Sequence, residues 1–473
     1  MATVVVPEEY GMYGYLGLWL MYAGLIRPGF TLSGYREIPV LLGKGQENQA
    51  LRIQNISVTS DMLYSILPFT VILGASFFTP EPILKFGLIM VAFSYGINRV
   101  VYYWQSVNFL RQNFNIVAKG KIISAIASPL AIVALVYWLK VYALLIAPIF
   151  TAVVVGTYFW RKGSIKFRFT FDRKETVRLA KVGIVLQTGA LVFVAFRLAD
   201  RTIIASTLSI EQLGFYTFAI AFIIMVLTIP TNFTNVLQPI LYKELGRTSN
   251  AFEGFKDTKR IAVYLALGGA VLIPISQSGF YFVVNLITTN YIPSVPIFYV
   301  LSYNIFLASN MAVANLVLIS SVVNKQKVSL GILTAGLALN IFFDLLVIRL
   351  GYGVIGVAWV TIVTQGLVTV TLYYMAKNYM FGNVKEYFRF QITIWTPFLL
   401  TIPFYFFHNS LNLVVPNVWA FTGISLAAQV IIWGLLISIF YRAYVSKNHI
   451  RTVLKEINLA LGNRLVNSKE DLE

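Results

Sequence analysis

Apolar residues in this chain run in long blocks separated by short polar stretches. Thirteen blocks can be drawn, at 11–33, 56–78, 83–110, 120–138, 141–160, 178–206, 211–238, 261–289, 294–322, 328–348, 353–376, 391–408 and 418–441. A hydrocarbon core of about 30 Å is crossed by roughly 20 apolar helical residues, so each block is long enough to span it. The connections are brief and carry turn-forming residues, as in Thr79-Pro80-Glu81-Pro82, Asn290-Tyr291-Ile292-Pro293 and His408-Asn409-Ser410. None could house a soluble domain. The pattern predicts an all-α, polytopic integral membrane protein.

Composition agrees with the pattern and removes several kinds of chemistry. Of the 473 residues, 58% are apolar and 12% charged, against about 45–50% and about 25% in soluble domains. Secreted, fibrous and disordered classes are thereby excluded. Cysteine is absent and the only histidines are His408 and His449. No disulfide framework, Cys/His zinc site or cysteine nucleophile can be built from that set.

The net charge of +18 would suit a nucleic-acid binder if the cations were scattered. They are not. The alternate connections 35–55, 111–121, 161–181, 239–260, 323–327, 377–389 and 442–473 hold 30 of the 37 Lys and Arg residues. The opposite connections hold only Lys85, Lys140, Arg201 and Arg349. Positive charge is retained on the cytoplasmic side, so the C-terminus is expected inside a cytoplasmic membrane and the N-terminus outside. No nucleic-acid partner is expected.

An internal repeat organises the spans. Glu8-x-x-Gly11-x-Tyr13 recurs as Glu211-x-x-Gly214-x-Tyr216, 203 residues later. At that offset Ala2-Thr3 falls on Ala205-Ser206, the end of block 178–206. The register therefore predicts one helix before the first block, with 13 of 14 spans in this chain. The expected organisation is an N-terminal lobe over 1–160, a basic cytoplasmic loop over 161–177 and a C-terminal lobe over 178–376. Two additional helices follow within 377–441, and then a basic amphipathic tail over 442–473. In the tail Ile450, Val453, Leu454, Ile457 and Leu461 recur at helical spacing, which suits the membrane surface. Parallel repeats about an axis along the membrane normal are a transporter pattern, with substrate taken between the halves.

Gly351-Tyr352-Gly353-Val354-Ile355-Gly356 fits a dinucleotide fingerprint literally. It lacks the preceding strand and the acid about 20 residues on, and reads as a tight turn between spans. Asp172 followed by Glu175 reads as a helix cap. No Walker lysine, close carboxylate pair or H-E-x-x-H motif is present, so no enzyme activity, metal or cofactor is expected.

Ionisable residues at membrane depth are costly and face a cavity or a partner. Arg27, Arg99, Arg197 and Asp344 are the candidates. Snorkelling to the interface is the alternative for Arg99. An ion pair with Asp200 at i+3 is the alternative for Arg197. For Asp344, near Asn340, the alternatives are ion coupling and an interhelical hydrogen bond or arginine pair.

The chain resembles the Wzx-type polysaccharide flippases of the multidrug/oligosaccharidyl-lipid/polysaccharide exporter superfamily. The resemblance is carried by Pro7-Glu8-Glu9-Tyr10-Gly11-Met12-Tyr13-Gly14, by Arg36-Glu37 and by Ala199-Asp200-Arg201-Thr202-Ile203-Ile204. Leu213-Gly214-Phe215-Tyr216 and the stretch from Gly351 to Ala358 complete it. It implies fourteen helices in two lobes and export of polyprenyl-diphosphate-linked oligosaccharides, the precursors of O-antigen-type surface glycan, by alternating access through a cationic lumen. On that reading Arg27, Arg99 and Arg197 bind substrate, Asp344 couples an ion, and Arg36, Glu37, Asp200 and Arg201 have structural or gating roles. The expected partners are the lipid-linked cargo, membrane lipids and glycan polymerase machinery, with the protein a monomer. The competing readings are a drug/cation antiporter of the same superfamily, which calls for more intramembrane carboxylates, and a membrane-embedded glycan polymerase or ligase, which calls for a large outer loop.

Overall fold

A computed structural model describes residues 5–25, 28–43, 45–110, 113–163, 168–247, 255–320, 323–414 and 417–440. Among these the regular elements are all helical, as the blocks predict. Contacts divide the chain into two compact units, Met1–Thr217 and Phe218–Glu473.

The first unit holds α1 (Pro7–Leu25), α2 (Phe30–Gly43), α3 (Glu47–Phe77), α4 (Pro82–Leu110), α5 (Phe114–Leu139), α6 (Val141–Lys162) and α7 (Arg173–Thr207), with the first turns of α8 (Ile210–Arg247). The described residues of segment 161–177 belong to this unit. Leu16, Ile72, Leu88, Ala92, Tyr95 and Leu145 form a buried cluster joining α1, α3, α4 and α6. α5 presents the opposite pattern. Its Ile122, Ile126, Leu130, Val133 and Tyr137 are exposed at three- and four-residue spacing, an apolar stripe suited to lipid.

The second unit continues α8 and adds α9 (Lys256–Leu286), a 3₁₀ turn (Thr289–Tyr291), α10 (Ser294–Leu301), α11 (Asn304–Ile319), α12 (Gln326–Arg349), α13 (Gly353–Met380), α14 (Val384–Val414) and α15 (Val418–Phe440). Stacked rings fill its core: Phe280 on Phe298 at 4.0 Å and Phe218 on Tyr291 at 4.2 Å between centroids. α15 is tied to α9 by a polar clasp. Gln429 Nε2 donates to the Pro274 carbonyl at 3.1 Å and to Ser278 Oγ at 2.9 Å. Such clasps suit an environment in which the hydrophobic effect contributes little between helices.

Ten helical stretches among the described residues are long and apolar enough to cross a membrane, so the chain is a multi-pass membrane protein. Three of the thirteen expected blocks are not among these ten, though helices occupy all three. Block 178–206 lies in α7, whose sequence carries Arg178, Lys181, Arg197, Asp200 and Arg201 and is correspondingly less apolar. Block 391–408 lies in α14, which begins with Lys385, Glu386 and Arg389 and contains Pro397 and Pro403. Block 11–33 is divided between α1 and α2, because Pro28 and Gly29 leave helical geometry. The 442–473 tail lies outside the described residues.

Candidate functional site

The break between α1 and α2 is a built feature. Gly29 has φ +72°, a conformation natural to glycine and strained for L side chains. A Cβ there would lie 2.6 Å from the Gly183 carbonyl oxygen on α7. Reciprocally, a Cβ on Gly183 would collide with the carbonyls of Pro28 and Gly29. Ser33 Oγ then donates to the Leu179 carbonyl at 2.6 Å and Ser57 Oγ to the Phe30 carbonyl at 2.8 Å, fixing α2 on α7 and α3. α7 meets α1 again further on. There Tyr22 and Thr202 share a hydroxyl hydrogen bond of 2.6 Å, and Arg201 reaches Met21. Arg27 and Arg197 fall in the stretches of chain bracketed by these two contacts. Arg27 itself, and the side chain of Arg197, lie outside the described residues.

At the other end of α1, the two copies of the repeat meet. A Cβ on Gly11 would collide with the Ile210 carbonyl, and one on Gly214 with the Pro7 carbonyl. Asp200, the expected alternative partner of Arg197, is buried and accepts a hydrogen bond of 2.6 Å from the Tyr216 hydroxyl. Tyr216 lies within the second copy of the repeat motif, which is the signal that could have identified it.

The lysine- and arginine-rich end of the first unit is held by ion pairs. Arg178 donates to both carboxylate oxygens of Glu37, at 2.7 and 2.6 Å, and to Glu175 at 2.6 Å. Arg52 meets Asp172 at 3.0 Å. Asp172 caps α7 by accepting from the backbone N–H groups of Lys174 and Glu175, as the sequence predicts. These backbone bonds, that to Glu175 foremost, and the Arg52 contact hold the Asp172 carboxyl below the usual range. Thr59 accepts from the Thr170 N–H at 3.0 Å, so the chain leading to the cap lies along α3. Of the expected pair Arg36 and Glu37, only the Glu37 side chain is described. Its partner Arg178 was not singled out from sequence because basic residues are common at that end.

In the second unit, Ser329, Leu333, Gly336, Asn340 and Asp344 form the buried stripe of α12. Asp344 is 0% exposed and accepts from Asn340 Nδ2 at 2.8 Å. Thr364 on α13 reaches Asn340 Oδ1 at 3.5 Å. A buried carboxylate, a carboxamide and a hydroxyl thus converge where two spans pack. No cluster of three or more His, Asp or Glu residues suited to a metal occurs among the described residues.

Arg99 is half-buried, with its guanidinium 5.3 Å from the ring centre of Tyr95 and 5.1 Å from that of Tyr102. It borders an open cavity of 240 Å³ lined by α4, α5 and α6. A separate apolar cavity of 330 Å³ in the second unit is lined by Tyr303, Leu307, Trp359, Gly366, Trp395 and Phe398, among others.

Two solved structures share this fold. A lipid II flippase MurJ in an inward closed conformation matches with a TM-score of 0.63 and 14% identity, over 93% of this chain and 94% of that one. An inward-facing multidrug resistance MATE transporter of the MOP superfamily matches with a TM-score of 0.56 and 12% identity, over 79% and 91% respectively. No curated protein matches the sequence. Residues 1–291, more than half of the chain, match the model of a family described as polysaccharide biosynthesis protein, and the chain belongs to that family.

Proposed function

We propose that this protein is a flippase that carries a polyprenyl-diphosphate-linked oligosaccharide across the cytoplasmic membrane by alternating access, supplying surface polysaccharide of the O-antigen type. It works as a transporter and not as an enzyme. The observation that supports this most directly is the broken α1–α2 span. The break brings a non-helical stretch next to Arg27, and the two contacts of α1 and α2 with α7 bracket both Arg27 and Arg197. Interrupted spans are where transporters of several folds bind their cargo. A diphosphate needs several cations, and arginine remains charged at membrane depth while offering a planar fork to phosphate oxygens. Arg99 is assigned separately, to the cavity between α4, α5 and α6. Asp344, with Asn340 and Thr364, is the proposed ion-coupling group. The lysine- and arginine-rich end faces the cytoplasm, together with the C-terminus. The protein acts as a monomer alongside the glycan polymerase machinery.

The test is complementation of a strain lacking the gene. Arg27→Ala and Arg197→Ala should each abolish surface glycan at unchanged membrane abundance, and the Lys variants should restore it in part. Normal glycan in both Ala strains would overturn the cationic-site reading. The competing antiporter reading predicts that loss of the gene sensitises cells to organic cations while leaving glycan intact.

A further inference from the structure

The cavity beside Arg99 has a chemistry of its own. Asn98, Arg99 and Gln105 enter its wall from α4, Lys121 and Ser124 from α5, and Thr151 from α6. Two cations and several neutral polar groups therefore face one space, and none of the lining residues is a carboxylate. Its 240 Å³ far exceeds what a single water needs. The Arg99 guanidinium lies against Tyr95 and Tyr102, contacts that limit its rotamers and leave less entropy to lose on binding an anion. A 20 Å³ pocket lined by Gln54, Asp61 and Tyr103, among others, also has Arg99 in its wall, so Asp61 is the acid that shares this arginine with any anion bound in the larger cavity.

Position identifies the class of anion. Lys121 is exposed and lies near the start of α5, two turns from the connection to α4 that carries Arg111, so the cavity opens near the lysine- and arginine-rich end. It is built into the flank of the first unit, beside the apolar stripe that α5 shows to lipid through Ile122 and Ile126. An occupant would thus meet two cations in the cavity wall and hydrocarbon contacts beside it, which describes a phospholipid with an anionic head group.

We propose that the cavity between α4, α5 and α6 is a head-group site for an anionic phospholipid, whose phosphate is held by Arg99 and Lys121 while its chains lie along α5. Basic hollows between spans suit such head groups, and each cation near the surface contributes about 1 kcal/mol. The site is distinct from the proposed cargo site and does not depend on the flippase reading.

The purified full-length protein in neutral detergent would be titrated with phosphatidylglycerol, phosphatidylcholine, inorganic phosphate and farnesyl diphosphate. Adducts would be counted by native mass spectrometry, and melting followed in parallel. Phosphatidylglycerol should form a one-to-one adduct and raise the melting temperature, whereas phosphatidylcholine should not. Lys121→Gln, at an exposed position, should melt like wild type without lipid yet bind phosphatidylglycerol about fivefold more weakly. Arg99→Gln should weaken it at least as much, and Asp61→Asn should leave it equal or tighter. Wild-type affinity in Lys121→Gln would overturn the proposal. So would equal stabilisation by inorganic phosphate, which would mark a soluble-anion site, or farnesyl diphosphate displacing phosphatidylglycerol through the same residues, which would mark a cargo site.

Discussion

Gly11 and Gly214 stand 203 residues apart in sequence, and each leaves room for the backbone of the other's helix. The contacts are reciprocal: Gly11 lies under the Ile210 carbonyl and Gly214 under the Pro7 carbonyl, again at an offset of 203. Gly14 continues the match, since a Cβ there would lie 2.5 Å from Thr217 Oγ1, its equivalent by the same offset. Reciprocity of this kind is the mark of a local two-fold relation. The sequence repeat is thus visible as a self-complementary crossing of α1 with the first turns of α8.

Alanine at Gly11 or Gly214 should therefore act by overpacking. The added methyl meets backbone, which cannot rotate away, and a loss of about 1–3 kcal/mol or more is expected. Gly17 supplies the control, because nothing lies within 4 Å of a Cβ there. Gly17→Ala should be neutral or stabilising by up to about 1 kcal/mol. Thermal unfolding of the purified variants decides the matter, and equal melting of Gly11→Ala and Gly17→Ala would contradict the crossing.

The Glu37–Arg178 pair predicts a rescue by charge exchange. Glu37→Arg alone places two guanidinium groups together, whereas Glu37→Arg with Arg178→Glu restores opposite charge. Because the Arg178 side chain is 44% exposed, a double-mutant cycle should give only about 0.2–1 kcal/mol, towards the upper end for a two-bonded pair. A coupling near zero would leave Glu37 without the role assigned to it.

Acid should loosen the basic end of the second unit. Lys259 donates to Glu386 at 2.8 Å, and the Gly382 N–H donates to the same carboxylate at 3.0 Å. The Lys259 hydrogen bond first, then that of Gly382, holds the Glu386 carboxyl below its ordinary value. A carboxylate more acidic in the folded state contributes stability above its unfolded pKa of about 4.3. That stability is lost as pH falls through the lower folded value. Melting temperature should decline on this acidic limb, and Glu386→Gln should flatten it while lowering the plateau at neutral pH. An unchanged limb in Glu386→Gln would assign the acid response elsewhere.

Much of the fold was legible in the sequence because membrane spans are written in apolar length, and because Lys and Arg mark alternate ends. Asp172 was readable as a cap because capping is a local property of a few adjacent residues. The break has a local signal, the Pro28-Gly29 pair inside block 11–33, but its close contact with Gly183, far away in the chain, has none. The cavity beside Arg99 was equally hidden. Lys121 read as an ordinary positive-inside residue, and only the packing of α4 with α5 and α6 sets it beside Arg99. Asp344 and Asn340 were recognisable as neighbours on one helical face, whereas Thr364 required knowing that α12 and α13 pack together.

Asp344 carries the last prediction. Replacing it by Asn preserves the volume and a hydrogen bond with Asn340, so folding should be little changed. What is lost is the charge, and with it the capacity to bind a proton or a monovalent cation at a site that is 0% exposed. If ion occupancy there drives the transport cycle, the coupling free energy removed is that of a typical linked site, about 1–3 kcal/mol, or about 5–150-fold in cargo affinity. Surface glycan should fall accordingly, and its dependence on external pH or sodium should flatten. Thr364→Val separates this from simple packing, because it removes a hydroxyl ligand while leaving the carboxylate in place, and an intermediate loss is expected. An Asp344→Asn protein that exports glycan at the wild-type level, with the same pH and sodium dependence, would make the cluster an interhelical clasp of the kind Gln429 forms with Ser278, and coupling would have to lie elsewhere.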